Sequence, residues 1–175
     1  RTMITPAYVP AMARYNTWQN VNLYAAAATL SDAARRLDRG AFFGSIHTTF
    51  NHLLWADQMW LSRFGAGPAP AAETVAAGLE VHADFASQTA ARQTLDRVIE
   101  QWAGALERGD LEGDLTFRSA SYNTTFSRPK AILIMQLFNH QTHHRGQVHA
   151  MLTMAGATPG PTDIPVHPEI WNGLT

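Results

Sequence analysis

Four long stretches of this chain carry apolar residues at helical spacing, and the segments between them are rich in turn formers; a fold built on four long helices satisfies that pattern. The first runs from about Pro10 to Leu30, where Met12, Tyr15, Trp18, Val21, Ala25 and Ala28 recur at steps of three or four. The second runs from about Gly44 to Phe64, includes Trp55 and Trp60, and stops at GAGPAPA. The third, about Asp84 to Glu107, carries Phe85, Leu95, Val98, Ile99, Trp102 and Leu106 and gives way to RGDLEGD. The fourth starts at Pro129, suited to a first helical position, and runs to Ala155 before Gly156 and the tail TPGPTDIPVHP. Between the third and fourth, LTFRSASYNTTFS alternates like an extended, hairpin-like excursion. The expectation is all-α: an up-and-down four-helix bundle with one long connection, a single domain over residues 1–175.

Composition excludes several function classes. A chain of 175 residues is long enough to bury roughly two-thirds of its unfolded surface, so it needs no metal merely to fold. Thirteen basic against fourteen acidic residues, with Lys130 the single lysine, argue against a phosphate-neutralising surface and hence against nucleic acid. No apolar run approaches the ~20 residues that span a bilayer, and RTMITPAYVP lacks a signal-peptide core. The cytoplasm is the expected compartment. Cysteine is absent, so any transition-metal chemistry must run through histidine.

Half of the eight histidines fall in FNHQTHHRGQVHAML, between Phe138 and Leu152. On a helix, His140 and His144 sit about 40° apart and one turn along, so both imidazoles can face one point. His143 lies about 100° from His144 and His149 about 180° from His140, outside that geometry. Such pairs also arise as hydrogen-bonded core residues, and a third ligand decides between the readings, because three histidines make the open site of a catalytic ion. The second segment offers His47 and His52, about 140° apart. His52 is favoured, since Thr49, Leu53 and Ala56 beside it leave room; His47 is expected nearer the surface or behind the ligands. Zinc-protease chemistry is excluded by Gln141, which stands where H-E-x-x-H needs glutamate. A ferritin-like di-iron centre is excluded because no acidic residue occurs from Lys130 to Ala155.

RYNTWQN, GAFFGSIHTTFNHLLWADQMWLSRF and LFNHQTHHRGQVHAMLTMAG together resemble the bacterial DinB/YfiT-like family of metalloenzymes. NHLLWAD, H-x-x-x-H-R-G-Q and the closing TDIP carry the resemblance most specifically. It implies a four-helix bundle, often dimeric, holding a divalent ion through one histidine of the second helix and two of the fourth: His52, His140 and His144. Zinc or nickel is the expected ion, one per chain, with iron or manganese also compatible. Relatives act as thiol-dependent transferases or isomerases, so the resemblance implies a small-molecule substrate and a low-molecular-weight thiol. The family name refers to induction by DNA damage, a statement about expression.

Two functions follow: a metal-dependent transferase, isomerase or hydrolase, and a non-catalytic, metal-containing stress-response binding protein. Around the site, Asp57 and Arg145 could pair across helices or orient ligands, against the alternative of solvated surface charges. Gln147 could approach a metal-bound water or pack at the cavity rim, Gly146 would permit close helix approach, and the tryptophans belong to the core. The first segment, with Tyr15, Trp18, Tyr24 and the run AAAATL, carries more apolar surface than one face requires, and a homodimer through it is expected.

Overall fold

The computed structural model describes residues 3–167 and Ile170; the ends of the expected domain (residues 1–2, 168–169 and 171–175) lie outside the described residues. Helix α1 spans Tyr8–Ala28, α2 Asp32–Arg36, α3 Ile46–Arg63, α4 Val75–Gly78, α5 Phe85–Ala105 and α6 Lys130–Met154. Strands β1, Asp114–Ser119, and β2, Thr124–Pro129, pair antiparallel. The protein is therefore mainly helical with a small sheet, which corrects the all-α expectation. The physical reason is the alternation Leu115, Phe117 against Thr116, Arg118, a period of two that presents one half-buried edge to the helices. Short helices α2 and α4 went unanticipated, although Ser31 and Thr74 cap them by accepting hydrogen bonds from Ala34 and Ala77 amides.

Local chemistry sets the ends of the long helices. Ser45 and Thr48 form a reciprocal capping box at the start of α3, and the Asp84 carboxylate accepts from the Ser87 amide at the start of α5. Past α6, the Gly156 and Ala157 amides donate back to the Thr153 and Leu152 carbonyls, both at 3.0 Å, closing the last turn. The following tail folds onto α1: Tyr15 hydroxyl donates to the Thr162 carbonyl at 2.9 Å, Gln19 donates to Pro161 at 2.9 Å, and His167 meets Trp18 edge to face. Gly160 sits close against α1 there: a Cβ would come 2.7 Å from the Asn22 side chain, which would have to swing aside.

Helix α1 packs on α5 and α6, and α3 packs on α6 and α5. Beside a small apolar cluster of Trp60, Leu133 and Leu137 beneath the hairpin, the described residues form two larger ones, one around Val9, Leu61, Ile99 and Phe138, the other around Leu23, Phe50, Leu53 and Met151. Between them lies a buried polar layer. Arg92 donates to Asp57 at 2.7 Å and pairs with Asp96 at 2.8 Å; Asn16 and Asn20 donate to Asp96; and Arg145 donates to Asn16, all in the interior. Two carboxylates and two guanidinium groups balance. This layer overturns the expected face of α1: Asn16, Gln19 and Asn20 point inward, while Val21 is 58% exposed and Ala25 and Ala28 face solvent. Periodicity of apolar residues misreads a helix whose buried side is hydrogen-bonded rather than greasy.

Candidate metal centre

Asp57 and Arg145 do not pair, and neither is a surface charge. Asp57 bonds Arg92 across to α5, while Arg145 reaches Asn16 on α1 and lies over the Tyr15 ring. Their place in the polar layer nonetheless bears on the histidines. On α6, Gln141 and Arg145 face that layer, so the residues immediately before them, His140 and His144, turn towards α3. On α3, Asp57 faces the layer and His52, five residues earlier, turns towards α6.

There the three imidazoles converge. One ring nitrogen from each of His52, His140 and His144 lies within 4.8 Å of the others, and the Nε2 atoms of His52 and His140 are 3.2 Å apart. Ligand bonds of ~2.0–2.1 Å in tetrahedral geometry place nitrogens roughly 3.3–3.4 Å from one another, so this spacing matches two neighbouring ligands. His144 Nδ1–H donates to the Gln147 amide oxygen at 2.8 Å; an amide oxygen only accepts, which fixes the tautomer and leaves Nε2 bare. The Nδ1 atoms of His52 and His140 are buried with no partner among the described residues. Burial first, then the other imidazoles, pushes His52 down to about 3, and burial with His144 and His143 pushes His140 down to about 4. Burial also lowers His144, against the opposing pull of Gln147. All three are therefore neutral donors at neutral pH. The donor set fits a borderline divalent ion.

His47 is not near the surface. It is buried, lies 3.2 Å from the Asn51 amide, and its carbonyl accepts from Gln88, so it braces α3 against α5. His143 is exposed, its Nε2 accepting from Gln147 at 3.3 Å. Gly146 makes no close approach; a Cβ there would meet open space. Phe43 has no sequence signal beyond its place in the aromatic pair of GAFFGS. Its ring lies 4.0 Å from the His52 ring and 5.3 Å from the His144 ring, and its carbonyl accepts from the Thr48 hydroxyl, so the cap of α3 also seats an apolar cover on the imidazoles.

A cavity of about 730 Å³ opens beside His52 and His140, floored by α3 and α6 and roofed by the β1–β2 hairpin. Trp55 and Trp60 line it, so these two indoles are wall as well as core. Trp55 is pinned by its indole N–H donating to Ala72 at 2.7 Å and by Gly78, whose missing side chain makes room: a Cβ would come within 2.6 Å of the ring.

Comparison with known proteins bears on the family and on the fold. The sequence profile described as the DinB family matches residues 3–172. The protein named Protein DinB from Bacillus subtilis (strain 168) is 26% identical over 159 residues, covering 85% of this chain and 87% of its own. Among solved structures, a DinB-like protein from Bacillus cereus ATCC 10987 superposes with a TM-score of 0.65 at 19% identity, over 85% of this chain and 91% of that one; at that identity the likeness concerns the fold.

Proposed function

We propose, starting from the fact that the chain belongs to the DinB family, that it is a metal-dependent enzyme holding one divalent ion through His52, His140 and His144. The observation that carries the reading is the 3.2 Å separation of the His52 and His140 Nε2 atoms, with His144 Nε2 left bare by the Gln147 hydrogen bond. Four long helices packed around the polar layer support reading the helical part as a four-helix bundle. The expected ion is zinc or nickel, with iron or manganese also suited to imidazole.

When bound, such an ion keeps its full positive charge among neutral imidazoles and supplies Lewis-acid activation of a thiol or water. The chain's own residues do the rest. Gln147 orients His144, Phe43 excludes water from one side of the imidazoles, and the cavity admits a small molecule from the other. The reactions that suit this site are transfer or isomerisation dependent on a low-molecular-weight thiol, or hydrolysis. One feature favours the second reading, a metal-containing stress-response binding protein without turnover: among the described residues Glu73 is the one carboxylate lining the cavity, so little protein-borne acid–base chemistry is on offer.

We read the assembly as a cytoplasmic homodimer. The chain's own tail covers Tyr15 and Trp18, and Tyr24 is buried, so the proposed contact narrows to Val21, Ala25 and Ala28.

The test is elemental analysis after incubation with zinc and desalting. About one ion per chain is expected, falling to a small fraction in His52→Ala and His144→Ala. Parent protein that retains no metal, or variants that retain as much as the parent, would reject the ligand set.

A further inference from the structure

Helix α3 turns a continuous strip towards the cavity: His52, Trp55, Ala56, Met59, Trp60 and Arg63, at steps of three and four. Arg63 ends that strip eleven residues after His52, about 16 Å along the axis. Its guanidinium carbon lies 4.7 Å from the Trp60 ring centroid and 4.1 Å from that of Phe117 on β1. The two rings are inclined at 72° to each other, so at most one can take the face of the guanidinium, and neither offers an oxygen or nitrogen lone pair to accept a hydrogen bond from its N–H groups. Among the described residues no carboxylate, carbonyl or hydroxyl accepts from it, and it is half-buried. Burial also lowers its pKa, a sign of incomplete solvation.

The surroundings reinforce a preference for negative charge. Among the described residues, Arg118 and Arg128 from the hairpin join Arg63 on the cavity wall against the single carboxylate of Glu73, in a chain whose overall charge is −1. Arg118 is already engaged by Asn123 at 2.6 Å, and Arg128 donates to Ser127 at 2.7 Å. Each of these two spends one N–H in that way; Arg63 spends none on an oxygen acceptor among the described residues, and it alone of the three stands on α3, in line with His52. Between it and the histidines the wall is apolar and aromatic.

We infer that the cavity takes an elongated amphipathic carboxylate, its anionic group received by Arg63, its apolar body along Trp55, Met59 and Trp60, and its far end at His52 and His140. A planar guanidinium edge matches a carboxylate in two parallel hydrogen bonds. The inference rests on the proposed metal centre only for what happens at the far end; recognition by Arg63 stands without an ion.

The experiment is calorimetric titration of EDTA-stripped and zinc-loaded protein with phenylacetate, phenylpropanoate and phenylbutanoate, each beside its neutral primary amide, with zinc content measured in parallel. At least one acid binds roughly tenfold or more tightly than its amide in both forms, since a hydrogen-bonded charge is worth about that factor or more. The preference disappears in Arg63→Gln and is partly kept in Arg63→Lys, with zinc content unchanged. Arg63→Met, which keeps an apolar stem between the rings, replaces Arg63→Gln should that variant not fold. Absence of the preference in every acid–amide pair overturns the inference, as does its survival in the Gln or Met variant. A preference seen only with zinc and indifferent to Arg63 also overturns it while upholding the metal centre. An Arg63-dependent preference in protein that retains no zinc upholds it while rejecting the metal centre.

Discussion

Replacing Arg92 with methionine tests whether the interior polar layer is the ion-pair system its geometry describes. In the parent, Arg92 and Arg145 balance Asp57 and Asp96, and all four are nearly or wholly shielded from solvent. At ~4 Å between charge centres and an effective dielectric of ~20, each contact of Arg92 is worth roughly 4 kcal/mol before desolvation is charged against it. Removing it leaves the layer one negative charge in excess, and Asp57 suffers most. It loses its arginine and keeps only the neutral Gln141 amide, whereas Asp96 keeps two amide donors, Asn16 and Asn20. Breaking a buried pair from one side costs about 3–5 kcal/mol, which for a domain of this size lowers the melting midpoint by roughly 6–20 °C. The assay is urea unfolding followed by circular dichroism at neutral pH in EDTA, so that metal binding does not enter. Adding Asp57→Asn to Arg92→Met restores neutrality, Asp96 against Arg145, and recovers more than half of the loss. The penalty of the single variant also shrinks as pH falls, because the stranded carboxyl, its folded pKa raised above its unfolded one, takes up a proton. A single-variant cost below about 1 kcal/mol, or a double variant no more stable than the single, refutes the reasoning and means that water reaches the layer.

Gln147→Ala leaves His144 without its acceptor and lowers zinc affinity by about 10–100-fold with helicity unchanged, measured by competition with a chromophoric chelator; unchanged affinity removes Gln147 from the site. Stripping with EDTA preserves most of the far-ultraviolet helical signal, since the two larger apolar clusters form without the ion; collapse of that signal makes the centre structural. Light scattering after size exclusion gives twice the 19.2 kDa of one chain, and Ala25→Glu with Val21→Glu shifts it towards one; a parent at 19.2 kDa rejects the dimer, and a dimer indifferent to both changes rejects this face alone.

The four long helices were legible because their spacing and stop signals are local: the expected ends at Leu30, Phe64, Glu107 and Ala155 fall close to Ala28, Arg63, Ala105 and Met154. Which side of α1 faces inward was not, because Asn16, Gln19 and Asn20 read as solvent-facing until their partners Asp96, Arg145 and the Pro161 carbonyl are known. The same holds for Asp57, whose partner Arg92 lies 35 residues away on another helix. The pairing of His140 with His144 could be read from a one-turn step, and the nearness of His52 followed from resemblance and small neighbours. The roles of Phe43 and Gln147 depend on where rings and amides end up in space, which spacing along a chain does not encode.

In the hairpin over the cavity β2 is mostly solvent-facing, β1 turns only Leu115, Phe117 and Ser119 inward, and neither strand supplies any of the three histidines. Its sequence is thus nearly free of obligations to the interior. Floor and roof answer to different selective pressures: substitutions in α3 and α6 risk the centre and the core together, while the turn around Ser121 to Asn123 can drift, lengthen or be exchanged. A lineage built on this scaffold could acquire new substrates by rewriting a dozen or so roof residues, inheriting its reactive centre unaltered.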